Sequence, residues 1–377
     1  MKKSNLLILF TLLSCGCFSQ SETENVKTKN YPFIALSYHQ GTIMPTNPFV
    51  RGDNLAGIPI TDYRSSSFKI GWQNPGYKHW QRVYKDPYYG MAFNVGDFHS
   101  SEIGNPFSLY GFLGIPIFRL KRFELYSDFQ FGVAWNWHHY DSITNPKNIA
   151  IEGSMTVYVD IGLNAFYPIT KHLDLGAGLS FTHFSNGGFE RPNRGFNIYS
   201  PSIELKYNLA GRPATRTIPV AEKKQKSNHL YFMLGYGDHQ LVEHELDSNY
   251  FAVGGIGVYY MMQHSNAWRS GLGIDLNYWW GLNANPDGTP GSSNLENLTL
   301  AFIYQPELII DRLSIVTGFG IYARNYKYGN FNKLYQRLGV KYLITDNISF
   351  GVNIRAINFI LAEFLEFNLG YRIKWVR

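Results

Sequence analysis

Two side chains able to run acyl-transfer chemistry sit two residues apart, His183 and Ser185, in the stretch SFTHFSNGGFERPNRGFN (180–197). A serine hydroxyl is a poor nucleophile until a base takes its proton, and a neighbouring imidazole can do so at neutral pH. The imidazole in turn needs a third group to hold its tautomer. Asn186, Gly187 and Gly188 follow the serine. They bring an amide side chain and backbone N–H groups that could meet a developing oxyanion. The product would be transfer of an acyl group to water, a reaction that calls for no metal or cofactor. A bare H-x-S also occurs in the polar rim of a membrane barrel without any chemistry. The elements carrying the pair decide between the two.

Those elements read as strands. In 155–167 the odd positions are Met155, Val157, Val159, Ile161, Leu163, Ala165 and Tyr167, opposite Thr156, Asp160, Gly162 and Asn164. Residues 122–135 alternate in the same way, with Phe123, Leu125, Phe129, Phe131 and Val133 opposite Glu124, Asp128 and Gln130. A period of two is the signature of a strand with one apolar face. These runs exceed the usual soluble strand of about five or six residues, and match the roughly ten-residue spans that cross an outer membrane at a tilt. Carboxylates opposite an aliphatic stripe suit a polar lumen and a lipid-facing wall. Glu124, Asp128, Asp160, Asp174 and Lys206 then read as a paired polar core filling a narrow barrel.

Eight such runs are expected in the first half, near 31–39, 65–73, 87–98, 106–119, 122–137, 154–168, 173–186 and 196–209. Eight more follow near 229–238, 250–263, 268–281, 296–309, 312–325, 333–344, 347–360 and 363–376. The halves resemble each other: YPITKHLDLGAGLSFTHFS (167–185) aligns without gaps to YLITDNISFGVNIRAINFI (342–360). A repeat this long indicates duplicated domains. The fold class expected is all-β, a transmembrane antiparallel β-barrel in two tandem eight-stranded copies, 31–209 and 229–377, joined by the linker 210–228. A single sixteen-stranded barrel is the alternative. Short turns alternate with longer loops at 40–64, 99–105, 138–153 and 187–195. Barrels of this type keep short turns on the periplasmic side and long loops outside, so the seventh strand runs outward.

Residues 1–20 have a basic start, an apolar centre and a small-residue end, the pattern of a secretory signal, and 21–30 is a polar lead-in. Both cysteines, Cys15 and Cys17, lie in that first segment, which leaves the rest of the chain without a thiol nucleophile or a disulfide. LLSC also permits lipoprotein processing at Cys15. The net charge of +6 comes without a basic cluster interleaved with stacking aromatics, so nucleic acid is not an expected partner. His138, His139 and Asp141 in WNWHHYD read as the end of an aromatic girdle rather than metal ligands, because adjacent strand residues face opposite ways. Trp279, Trp280, Tyr342 and Trp375 are assigned the same interfacial role. NPDGTPGSSN (285–294) reads as a turn-rich outer loop. Nothing in the sequence sets an oligomeric state.

Strand parity places the chemistry. Leu173, Leu175, Ala177, Leu179 and Phe181 carry the outward stripe of the seventh strand, and His183 and Ser185 continue it. Asn197 shares the outward parity of the eighth strand, which should pair antiparallel with the seventh. Three polar groups therefore converge on a lipid-facing surface near the outer boundary.

The wider string HFSNGGFERPNRGFN resembles the signature of the lipid A 3-O-deacylase family, roughly H-x-S-N followed by P-N-x-G, through His183, Ser185, Asn186, Pro192, Asn193 and Gly195. The resemblance covers about 31–209 and is strongest over 173–209; related chains carry the broader label acyloxyacyl hydrolase. It implies an eight-stranded outer-membrane barrel whose exterior serine esterase site removes an ester-linked acyl chain from lipid A, the lipopolysaccharide anchor of the outer leaflet, without a metal. On that resemblance Ser185 is the nucleophile, His183 the general base and Asn186, with Gly187, an oxyanion contributor. The family's glutamate two residues after the P-N-x-G glycine is here Asn197, which can orient a histidine but supplies no charge. Glu190 is the nearby alternative acid. The second half has Asn358 and Ile360 where the first has His183 and Ser185. The competing expectation is a non-enzymatic barrel, a pore, anchor or structural protein, that retains the motif without activity.

Overall fold

The computed structural model of the chain describes residues 29–377 apart from 189, 214–220, 223–224, 240–249, 282–294, 325–333 and 359–360. The signal-like segment with Cys15 and Cys17, most of the lead-in, much of the linker, the 285–294 loop and Ile360 lie outside the described residues.

Among the described residues, sixteen strands carry the fold. The first eight are β1 (Pro32–Ile43), β2 (Asp62–Trp72), β3 (Tyr88–Asp97), β4 (Phe107–Leu120), β5 (Phe123–Trp135), β6 (Met155–Pro168), β7 (Leu173–Ser185) and β8 (Phe196–Asn208). The second eight are β9 (Ser227–His239), β10 (Phe251–Gln263), β11 (Trp268–Trp279), β12 (Leu298–Ile310), β13 (Leu313–Arg324), β14 (Leu334–Leu343), β15 (Ile348–Ile357) and β16 (Leu361–Val376). One short helix, α1 (His79–Val83), sits in the β2–β3 connection. No signal in the sequence marked it.

Each set closes on itself. β8 returns to pair antiparallel with β1, and β16 returns to β9, so the chain forms two separate closed barrels. A sixteen-stranded pore would need β8 to pair with β9. That alternative is ruled out by the register, in which Phe33 to Ile43 of β1 take up the free edge of β8 from Asn208 to Ile198.

The alternation sorts residues as a membrane barrel requires. Leu36, Ile70, Leu163, Leu179, Ile203 and Leu205 are exposed on the outer wall. The lumen of the first barrel is filled by aromatics in tilted and edge-to-face contact, among them Tyr88, Tyr126 and Phe166, and by paired charges. Lys69 Nζ lies 2.7 Å from Glu204, and Lys206 Nζ lies 3.2 Å from Asp174. Asp160 accepts the Thr182 hydroxyl at 2.6 Å. The second barrel is filled differently, with Arg337 bridging Asp275 and Glu366 at 3.0 Å each.

Trp279 departs from its assigned role. It is 1% exposed, inside the second barrel, with its indole N–H donating to Thr299 Oγ1 at 3.1 Å. A one-residue change of parity separates it from Trp280, which does face outward. An aromatic at a strand end takes its place from the pleat, not from its residue type.

Candidate functional site

The outer loops of the first barrel are knitted together before they reach the site. Asn148 Nδ2, in the β5–β6 loop, donates to the carbonyls of Glu102 and His138. The same loop accepts the N–H groups of Arg194 at Ile149 O and of Gly195 at Ala150 O. From the β1–β2 loop, Asn47 Nδ2 donates to Gly195 O at 3.1 Å. The segment leading into β8 is thus held on both sides.

Gly195 is where this scaffold touches the pair. Its φ of +66° is one that side-chain-bearing residues rarely adopt. A Cβ there would lie 2.6 Å from Phe184 O and 3.2 Å from His183 Cε1. The glycine of P-N-x-G therefore lets the loop close onto the imidazole.

His183 pairs across the ladder with Asn197, and its ring is bonded at both nitrogens. Nδ1 lies 2.7 Å from Asn197 Oδ1, and Nε2 lies 2.9 Å from Ser185 Oγ. Asn197 Nδ2 points to Thr46 Oγ1 at 3.4 Å, which leaves its amide oxygen for the histidine. The amide oxygen only accepts, so Nδ1 carries the hydrogen and Nε2 is free to accept from the serine hydroxyl. That tautomer is the one a general base needs.

The remaining residues divide. Asn186 accepts the Gly188 N–H through Oδ1 at 2.9 Å and donates from Nδ2 to Glu190 O at 2.7 Å. Its own backbone N–H goes to Asn193 Oδ1 at 3.0 Å. The side chain of Asn186 thus ties the turn, and among the described residues the Gly187 N–H has no such partner. The Glu190 carboxylate lies beside Gly153, where its Oε2 would sit 2.6 Å from an added Cβ. There it meets Glu152, whose carboxyl is pushed up to about 7 by burial and then by the charges of Glu190 and Asp141. His138 and His139 present Nδ1 to the carbonyls of Ser101 and Tyr140.

One placement differs from the sequence reading. The pair has outward parity, continuing the exposed Leu175 and Leu179, yet Ser185 is only 5% exposed. It is covered rather than open to lipid. Parity along one strand says which wall a residue is on, and nothing about what packs over that wall. Thr46, Asn47 and Arg191 were not singled out in the sequence. Asn186, Asn193 and Gly195 were signalled, through H-x-S-N and P-N-x-G.

Two closed antiparallel barrels with an apolar outer belt define an integral outer-membrane protein. The chain matches the lipid A 3-O-deacylase (PagL) family model over residues 66–206 and the model for the acyloxyacyl hydrolase C-terminal domain over 228–375. It belongs to this lipid A 3-O-deacylase and acyloxyacyl hydrolase family. No curated protein sequence matches the chain. Among solved structures, an outer-membrane channel from Pseudomonas putida F1 is 12% identical, covering 94% of this chain and 100% of its own, with a TM-score of 0.21. Acinetobacter baumannii OccAB2 is 9% identical, covering 92% and 98%, with a TM-score of 0.23. The family assignment rests on neither.

Proposed function

We propose that the first barrel is an outer-membrane serine esterase that removes an ester-linked acyl chain from lipid A. The observation that carries this is the unbroken line from Asn197 Oδ1 through His183 to Ser185 Oγ, at 2.7 and 2.9 Å, on the outward parity of β7. Hydrogen-bond contact between nucleophile, base and orienting group is the geometry that acyl transfer requires.

In this reading Ser185 Oγ attacks the ester carbonyl as its proton passes to His183 Nε2. The carbonyl oxygen becomes an oxyanion that the Gly187 N–H, with the turn Asn186 braces, is placed to meet. Collapse breaks the bond to the sugar oxygen, which takes the proton from His183. Water, deprotonated by the same histidine, then releases the fatty acid and restores the hydroxyl. Asn197 holds the ring throughout without adding charge.

The test is mass spectrometry of lipid A from cells bearing the wild-type chain or Ser185→Ala. The wild type should lower the mass by one acyl chain, and Ser185→Ala should leave it untouched while keeping the heat-modifiable gel mobility of a folded barrel. Identical profiles from the two folded proteins would end the esterase reading and leave a non-enzymatic barrel, which the neutral Asn197 favours.

A further inference from the structure

The outward walls of both barrels are mostly exposed, and each carries a covered region near the turn that follows Ser185. On the first barrel Val133, Val157 and Ser185 are paired neighbours across β5, β6 and β7. All three have outward parity and all are buried, whereas Ile161, Leu163 and Leu179 on the same strands are open. On the second barrel Val352 and Leu365 are buried, 6% and 4% exposed, packed with Ile354 and Phe367. Leu369, four residues further along β16, is 55% exposed.

The turn after Ser185 joins the two regions. A Cβ on Gly187 would lie 3.4 Å from Ile354 Cγ1 and 3.8 Å from Leu365 Cδ1. At Gly188, φ +83°, it would lie 2.7 Å from Ala362 O. Arg191 Nη2 donates to that carbonyl at 3.1 Å. At the opposite end Tyr84, beside α1, donates its hydroxyl to Ile309 O at 2.7 Å. The barrels are clasped at both ends, and the outer clasp is the turn that would hold the oxyanion.

We infer that the second barrel, which has no His–Ser pair at the equivalent strand, is the other half of the hydrolytic site: the outer end of β15–β16 positions the Gly187–Gly188 turn and walls the space over Ser185. The inference rests on the esterase reading above. Ile354, Ala362 and Leu365 act as positioning residues, because they touch the turn and not the reacting atoms. Two consequences follow. The acyl chain must enter along the seam between the barrels, and loosening β16 must slow turnover without unfolding the first barrel.

The experiment has three arms, all in the full-length chain with Cys15 and Cys17 replaced by serine. First, Arg191→Cys with Ala362→Cys is treated with a short bismaleimide, and the chain is then cut at a protease site placed in the linker. The halves should stay joined on a denaturing gel, while either single-cysteine chain separates. Second, Leu365→Ala with Ile354→Ala should lower kcat at least tenfold at nearly unchanged KM, Leu365→Ile alone should keep wild-type kcat, and Leu369→Ala should have no effect. Third, Ser185→Ala sets the zero of activity. Separation of the treated halves, or wild-type kcat in the Leu365 and Ile354 variant while Ser185→Ala is inactive, overturns the inference and leaves the esterase standing. Wild-type activity in Ser185→Ala removes both.

Discussion

Replacing Asn197 by aspartate isolates what the missing charge costs. The two side chains are isosteric, and Asn197 Oδ1 already sits 2.7 Å from His183 Nδ1, so the tautomer and ring position should persist. The Thr46 hydroxyl, now near the amide nitrogen, can rotate to donate to the new carboxylate. What changes is the stabilisation of the imidazolium that forms as Ser185 attacks. At roughly 4 Å between charge centres and an effective dielectric of about 20, that attraction is about 4 kcal/mol. Desolvating the added carboxylate takes back part of it, leaving about 1.4–2.7 kcal/mol, or roughly 10- to 100-fold in kcat. The assay is fatty-acid release from purified lipid A in detergent, at saturating substrate, with folding checked by gel mobility. Asn197→Ala, which removes the acceptor and frees the tautomer, should fall by up to about 10⁴-fold. A folded Asn197→Asp protein no faster than wild type would refute the argument that Asn197 orients His183 and lacks only charge.

Three further outcomes are expected. Gly195→Ala should cut activity sharply and cost about 1–3 kcal/mol, because a Cβ meets Phe184 O at 2.6 Å in a positive-φ backbone; unchanged fatty-acid release would contradict the close approach. Glu204→Leu should destabilise the first barrel by about 3–5 kcal/mol in urea titrations by stranding Lys69, 2.7 Å away, in the lumen; adding Lys69→Met should recover most of it, and a double variant no better than the single would count against the pairing. Glu152, held near 7 in the folded loop against an ordinary 4.5, binds more protons folded than unfolded between those values. Stability should therefore fall as pH rises from about 4.5 to 7. Glu152→Gln should flatten that slope in thermal melts, and an equally steep slope in the variant would place its origin elsewhere.

Much of this molecule follows from local pattern. The period of two in 155–167 and 173–185 was enough for strands, for their outward stripe and for placing Asp160, Asp174 and Lys206 inside, since the pleat alternates faces whatever the strand packs against. The same parity put His183, Ser185 and Asn197 on one wall, and an antiparallel ladder between β7 and β8 brought them into register. Strand count left the closure open, because sixteen similar strands satisfy one large barrel or two small ones. That choice depended on which edge β8 met, a contact spanning the whole first half of the chain.

The tertiary structure also decided what each wall residue faces. Trp279 and Trp280 are chemically alike, yet one fills the lumen and its neighbour the belt, by a single step of the pleat. Ser185 has the parity of an exposed residue and is nevertheless covered. The turn that follows it, at Gly187, lies against Ile354 of β15 and Leu365 of β16, more than 160 residues away in the chain. Sequence determines which side of its own strand a residue takes, because that is set by the backbone between nearest neighbours. What lies across from that side depends on how distant segments pack, which no run of neighbouring residues encodes.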